Sequence, residues 1–286
     1  MLKDGVLLVL VASIWFSASM SMIKALGPEV PVEWVSFLRN AVALPVVAFV
    51  MYRRGISFAS SQWLPLVLRG CFGVLSMTCR FWALPRMPLA DSTLISSTTP
   101  VFAAIWGVLF LEERLDRVAV LCIGATFVGV YVTFRPELSY IAAPYFAALA
   151  AGLFSSIAFA VIKSLSRSEP TERIIFYFAV VGSLAFLVPV LRSGFWPTPV
   201  QWAIMTAIGF AATGGQVFLT MGIGRAPVSR SSTGILFVIV LNIGIGWFFW
   251  GESPDAWTWL GCLLIAGGIL GLTSEVRRRL LVTFAH

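Results

Sequence analysis

Histidine is nearly missing. The one histidine of this 286-residue chain is its last residue, His286, so no imidazole is on hand inside the fold as a general base or metal ligand. Cysteine is scarce too. Cys71, Cys79, Cys122 and Cys262 stand in apolar stretches without paired spacing, which points to neither a disulfide framework nor a zinc site. Charge is thin, at 12% of residues against 59% hydrophobic, and mean hydropathy is +0.92. A soluble domain carries about a quarter charged residues, and one of this length cannot hide that much apolar side chain in a single core. The sequence also lacks a glycine-rich phosphate loop for an ATP motor and a carboxylate pair within its apolar stretches. It predicts no catalytic residue, no cofactor and no metal, and its apolar runs lack the period-two alternation of an outer-membrane barrel.

What is present is long hydrophobic runs. A helix needs about 20 mostly apolar residues to cross a bilayer. Ten stretches qualify: 5–25, 31–51, 63–85, 88–111, 117–134, 141–163, 171–191, 201–224, 228–250 and 256–274, here called spans 1 to 10. Turn residues separate them, as at Gly27-Pro28, Arg54-Gly55, Arg135-Pro136 and Gly251 to Pro254. The predicted class is an all-α integral membrane protein with the lipid bilayer as its solvent. The net charge of +7 is dispersed rather than clustered for nucleic acid, apart from Arg277, Arg278 and Arg279 after the last span. Lys and Arg favour alternate loops, twelve on the side of the N-terminus against four on the other. The positive-inside rule then puts both termini in the cytoplasm, and the short loops and small size suggest a bacterial inner membrane.

The chain repeats itself at an ungapped offset of 139 residues. Lys24 falls on Lys163, Pro31 on Pro170, Glu33 on Glu172, Gln62-Trp63 on Gln201-Trp202, Gly107 on Gly246, Glu113 on Glu252 and Asp116 on Asp255. The predicted units are 1–137 (spans 1–5) and 138–276 (spans 6–10), followed by a basic cytoplasmic tail, 277–286. Five spans per unit is an odd number, so the second unit enters the membrane from the opposite side. Inverted repeats of this kind let secondary transporters build outward- and inward-open states from one chain.

The stretch from Arg69 to Glu113 carries further detail: Arg69-Gly70 opening span 3, Pro88-Leu89-Ala90-Asp91, Thr99-Pro100-Val101-Phe102, and Leu111-Glu112-Glu113. The second half holds a degenerate copy in Pro227, Ser231, Gly246 and Gly251-Glu252. In these features the chain resembles the drug/metabolite transporter superfamily, whose repeat unit is the EamA domain. The wording of Met87 to Asp91 is similar to bacterial metabolite and S-adenosylmethionine-type carriers and to the G-type branch of solute-carrier family 35. The resemblance implies a ten-helix basket whose pathway is lined by spans 1–4 and 6–9, with spans 5 and 10 outside. It does not fix a substrate. The small multidrug-resistance relatives use a membrane glutamate in span 1 that this sequence lacks, which speaks against proton-coupled cation export.

Charges in hydrocarbon are costly and normally face the protein interior or a wet cavity. Arg39 in span 2 and Arg80 in span 3 are expected at similar depth, where two guanidiniums could hold a carboxylate or phosphate; for Arg39 a structural pairing with Glu33 or Asp91 is the alternative. Arg69 reads as an interface anchor, its side chain reaching toward the cytoplasm. Asp91 opens span 4, where it either caps the helix or couples transport to a proton. Its repeat mate Arg230 would stand at the opposite mouth as a second gating residue. Pro100 is expected to kink span 4 and free a backbone carbonyl near Ser96 and Thr99. Trp15, Phe81, Phe102, Gln216 and Asn242 are placed along the pathway, with Ser231, Ser232 and Thr233 as a sparser polar face on span 9. Gly214-Gly215 serves either as a gate hinge or for close helix packing. The predicted function is secondary-active transport of a small anionic or zwitterionic metabolite, such as a carboxylate or amino acid, by alternating access, with a coupling proton or a counter-substrate left open. A multidrug or organic-cation exporter of the same fold is the alternative, and a non-transporting scaffold is a third.

Overall fold

The computed structural model describes residues 4–27, 29–83, 98–113, 116–134, 143–251 and 254–272. These residues form eleven helices and, among the described residues, no strand: α1 Gly5–Leu26, α2 Val32–Arg53, α3 Trp63–Ala83, α4 Thr99–Phe110, α5 Arg117–Phe134, α6 Ala143–Leu165, α7 Thr171–Arg192, α8 Pro199–Arg225, α9 Val228–Gly234, α10 Phe237–Trp250 and α11 Ala256–Gly271. Six segments are long and apolar enough to cross a membrane: α1, α2, α6, α7, α8 and the stretch Val228–Phe249, which joins α9 to α10. Three further helices, α4, α5 and α11, are apolar but shorter. The one remaining helix, α3, carries Arg69 and Arg80.

Local signals set several helix ends. Asp4 accepts from the Val6 amide at 2.9 Å and caps α1. Thr198 and Gln201 cap α8 reciprocally, each side chain taking the other's backbone N–H. Asp255 accepts from the Thr258 amide at 2.8 Å to start α11. Gly251 ends α10 in the left-handed region at φ 66°, a conformation that costs a glycine nothing.

Span 9 is found as expected over Val228–Phe249, with one irregularity. It is not one continuous helix. Between Gly234 and Phe237 the ladder tightens to i→i+3 bonds: Leu236 N–H to Thr233 O at 3.0 Å, Val238 to Ile235 at 3.1 Å and Ile239 to Leu236 at 2.9 Å. The Ser232 and Thr233 hydroxyls take the Ser229 carbonyl at 3.1 and 2.8 Å, competing with the backbone there. Pro100 lies in the first turn of α4, where its missing N–H costs little, and the residues that would stand before a kink in span 4 lie outside the described residues. Thr98, which precedes α4, is the repeat mate of Phe237, which opens α10, so the two halves start this helix at equivalent places.

The packing follows the repeat. Helix α1 packs on α8 as α6 packs on α3; α2 packs on α8 as α7 packs on α3; α4 packs on α6 as α9 and α10 pack on α1. Helices α2 and α7 pack on each other, as do α5 and α11. Exchanging residues across the 139-residue offset turns every one of these pairings into its partner or into itself.

The α5–α11 pair is held by small residues. A Cβ on Gly261 would lie 2.7 Å from the Gly129 carbonyl and 2.8 Å from the Thr133 nitrogen, and one on Gly268 2.6 Å from the Cys122 carbonyl. Gly261→Val is therefore expected to lower the melting temperature, by about 2 kcal/mol of overpacking, while Gly124→Ala, with open space at its Cβ, is expected not to. Differential scanning fluorimetry in detergent reads both, and equal melting points for the two variants would contradict this packing.

Candidate functional site

Helices α2, α3, α7 and α8 enclose a polar core that the hydrophobic pattern does not announce. Arg69 of α3 is 3% exposed. Its guanidinium carbon lies over the Phe178 ring of α7, 3.9 Å from the centre, and Nη2 donates to Gln216 Oε1 of α8 at 3.3 Å. Its Nε finds no acceptor. Arg39 of α2 is half-buried, with its guanidinium carbon 5.9 Å from the Phe16 ring of α1. Arg39 is also within electrostatic reach of both Arg69 and Arg80. Among the described residues these three arginines form no ion pair. The ion pairs found there, Arg54–Glu172, Arg173–Glu169 and Arg230–Asp116, all stand at helix ends. Stacking on an aromatic face suits a guanidinium, which is weakly hydrated, but it supplies no counter-charge.

Two cavities lie beside this cluster. A small polar cavity of about 10 Å3, the room of one water, is lined by Arg39, Asn40, Phe178, Thr213 and Gln216. Ile175 and Thr213 are shared with a much larger cavity of about 570 Å3. The larger cavity runs between α2, α7 and α8 past Val47 and Val217 to a rim at Arg54, Glu172 and Arg225. The opposite ends of the same helices are shut. Trp34 packs edge-on against Phe195, Trp196 and Trp202, with centroids 5.6–6.5 Å apart, and donates through Nε1 to Ser193 Oγ at 3.1 Å. Val30, Leu38, Met205 and Ile208 fill the space beneath.

A second polar joint ties the two halves on the rim side. Glu113, which follows α4, accepts from the Val228 and Ser229 amides at 2.6 and 3.4 Å and from Ser229 Oγ at 3.2 Å, so it caps α9. Arg230 Nη2 donates to Asp116 Oδ2 at 2.8 Å, and Lys163 Nζ donates to the carbonyls of Gly224 and Ala226 at 3.1 and 2.8 Å.

The structure thus gathers Arg39 and Gln216 of the expected residues, with Arg80 within electrostatic range of Arg39, and it adds Arg69, Asn40, Phe16 and Phe178. Arg69 is a correction: α7 and α8 close over it, so its side chain does not reach an interface. Phe16, not its neighbour Trp15, meets the Arg39 guanidinium. Trp15 is 41% exposed and lies across Gly214, while Phe16 lies across Gly215. Helix α8 runs through both glycines, which admit these rings. Thr99 and Phe102 ride on α4, which packs on α6 and α9. Asn242 of α10 donates to Met20 Sδ of α1 at 3.4 Å. None of these three joins the arginines by a described contact. Arg230 is engaged at the joint with Asp116, and the hydroxyls of Ser231, Ser232 and Thr233 donate back to carbonyls of their own helix. Asp91, Ser96 and the Phe81 side chain lie outside the described residues. Arg69 could have been found in the sequence by applying the membrane-charge rule to it as to Arg39 and Arg80. Phe178 and Asn40 carry no such signal.

The EamA-like transporter family matches the chain twice, over residues 3–135 and 142–274. The chain belongs to the EamA-like transporter family. Like its relatives it is an integral membrane transporter. It is 33% identical over 275 residues to the pseudopaline exporter CntI of Pseudomonas aeruginosa, covering 94% of each chain. It is 25% identical to human solute carrier family 35 member G1, over 93% of this chain and 78% of that one. It is 27% identical to an S-adenosylmethionine uptake transporter of Rickettsia felis, over 87% and 85%. A crystal structure of a protein 20% identical superposes with a TM-score of 0.81, covering 95% of this transporter and 99% of the other chain, which bears on the fold alone.

Proposed function

We propose that this transporter is a secondary-active carrier that moves a small anionic or zwitterionic metabolite across a bacterial inner membrane by alternating access. In this reading ten spans form two inverted repeats, 1–137 and 138–276, with both termini in the cytoplasm. The observation that carries the substrate charge is the set of three guanidiniums, Arg39, Arg69 and Arg80, that meet no carboxylate among the described residues. A cation exporter would need the opposite charge there. Alternating access draws support from a cavity open at the Arg54–Glu172 rim and blocked at the Trp34–Ser193 end. An exporter and an uptake transporter both stand among the named relatives, so direction in this reading follows from gradients.

Counterflow of labelled solutes into proteoliposomes tests the proposal, with carboxylates, amino acids, S-adenosylmethionine and organic cations in the panel. Saturable counterflow of an anion or zwitterion, reduced at least tenfold by Arg80→Ala, is the expected result. Counterflow of cations alone, untouched by that variant, would establish the exporter instead.

A further inference from the structure

Two of the arginines sit about three turns apart on one helix, and the third shares the partners of the deeper one, which has a consequence for the cargo. Arg69 and Arg80 are eleven residues apart on α3, about 16 Å of helical rise at 1.5 Å per residue. Arg39, on α2, lines one small cavity with Phe178 and Gln216, the two residues that hold Arg69, and it lies within electrostatic range of Arg80. Two of the cations come with groups that hold them but do not neutralise them: Phe178 and Gln216 at Arg69, and Phe16 at Arg39, with Asn40 lining the same cavity. Asn40 donates to Ser36 O at 2.8 Å and is wedged against Gly182, so its amide is fixed as well. Buried cations spread over that length are not answered by one carboxylate, because a single anion reaches only its nearest neighbours at contact distance.

Resting on the carrier reading above, we propose that the substrate is an organic polyanion with at least two carboxylates separated along its carbon chain. One carboxylate sits between Arg69 and Arg39 beside the Gln216 amide. The other sits between Arg39 and Arg80. The small cavity bounded by Asn40, Thr213 and Gln216 is the deep end of this path, and the larger cavity behind Thr213 and Ile175 is its approach. The Arg69 Nε, buried without an acceptor, is the donor left open for the first carboxylate.

The test is a matched probe series in proteoliposomes near neutral pH: succinate, its monoamide, a tricarboxylate, a phosphomonoester with one anionic head, a zwitterionic amino acid and an organic cation. The tricarboxylate or succinate is expected to exceed the monoamide in kcat/KM by about thirtyfold or more, the scale of one charge-assisted contact pair. Arg39→Gln is expected to bring that ratio within about threefold, since it severs the link between the two stations. Should the variant fail to insert, the same series read as thermal stabilisation of the wild-type protein in detergent decides, with the dianion stabilising and the monoamide not. Monoamide or amino acid equal to the dianion overturns this inference and leaves the carrier reading intact. A phosphomonoester as good as the dianion overturns the separation of the two charges. Counterflow of the cation alone overturns both readings, and no response to any probe in either assay overturns this one.

Discussion

Replacing Arg69 with methionine is expected to abolish counterflow while leaving the protein at least as heat-stable as the wild type. The two effects separate because the guanidinium is buried without a counter-ion. Removing a buried ionic group in favour of an apolar side chain of similar volume is often neutral or stabilising, by about 1–4 kcal/mol. Against this stands the loss of one donor to Gln216, about 1 kcal/mol. Methionine can still cover the Phe178 ring, so no large void is left. Transport, in contrast, loses a charged contact to the substrate, and truncating one side of such a contact costs about 2–5 kcal/mol, at least thirtyfold in rate or affinity. Counterflow and scanning fluorimetry on the same preparation read both quantities. A melting temperature that falls in step with activity would make Arg69 a structural prop and remove it from the site.

Glu113→Ala is expected to do the reverse, lowering stability first. Its carboxylate takes two backbone N–H groups and one hydroxyl at the start of α9, whose residues are all buried. Without it those donors have no water to turn to, and the loss of a cap with charge-assisted bonds costs about 2–3 kcal/mol. The substitution also frees the end of α4 from α9, because Glu113 folds back over Gly107, whose Cβ position lies 2.6 Å from the Glu113 oxygen. A drop of several degrees in melting temperature is the expected reading, with Glu113→Gln intermediate because an amide still accepts through its oxygen. An unchanged melting temperature for Glu113→Ala would show that solvent or another group caps α9.

The apolar helices were legible because the bilayer demands length and hydrophobicity and little else. The offset of 139 residues was legible for the same reason that it matters: prolines, glycines and charges mark span ends, and these recur. The break between α9 and α10 in span 9 was harder to read. Its hydroxyl run was visible, but whether serine and threonine line a path or bond back to carbonyls depends on rotamers that a sequence does not specify. Depth counting placed Arg69 near an interface because it measures along one helix. Its burial comes from Phe178 and Gln216, 109 and 147 positions away. Glu113 was matched to Glu252 by the repeat, yet its actual work, capping α9, joins residues 115 positions apart. Long-range partners of this kind are what the sequence of one chain withholds.

The cavity rimmed by Arg54 and Glu172 also specifies something not yet built. Under the offset, Arg54 maps to Ser193, Glu172 to Glu33, Val47 to Phe186 and Ile175 to Ser36, while Thr213 and Val217 map to Val74 and Thr78 of α3. The first four of these counterparts lie on α2 and α7 and at the end of α7, where the Trp34–Ser193 bond and its aromatic neighbours now close the bundle. The last two lead along α3 toward Arg80. Under the alternating-access proposal the shut end would supply the lining of a second doorway in different residues: Ser193 where the open doorway has Arg54, and Trp34 where it has Arg173. The two doorways share a plan but not a chemistry, so the molecule, although built from a repeat, has a front and a back.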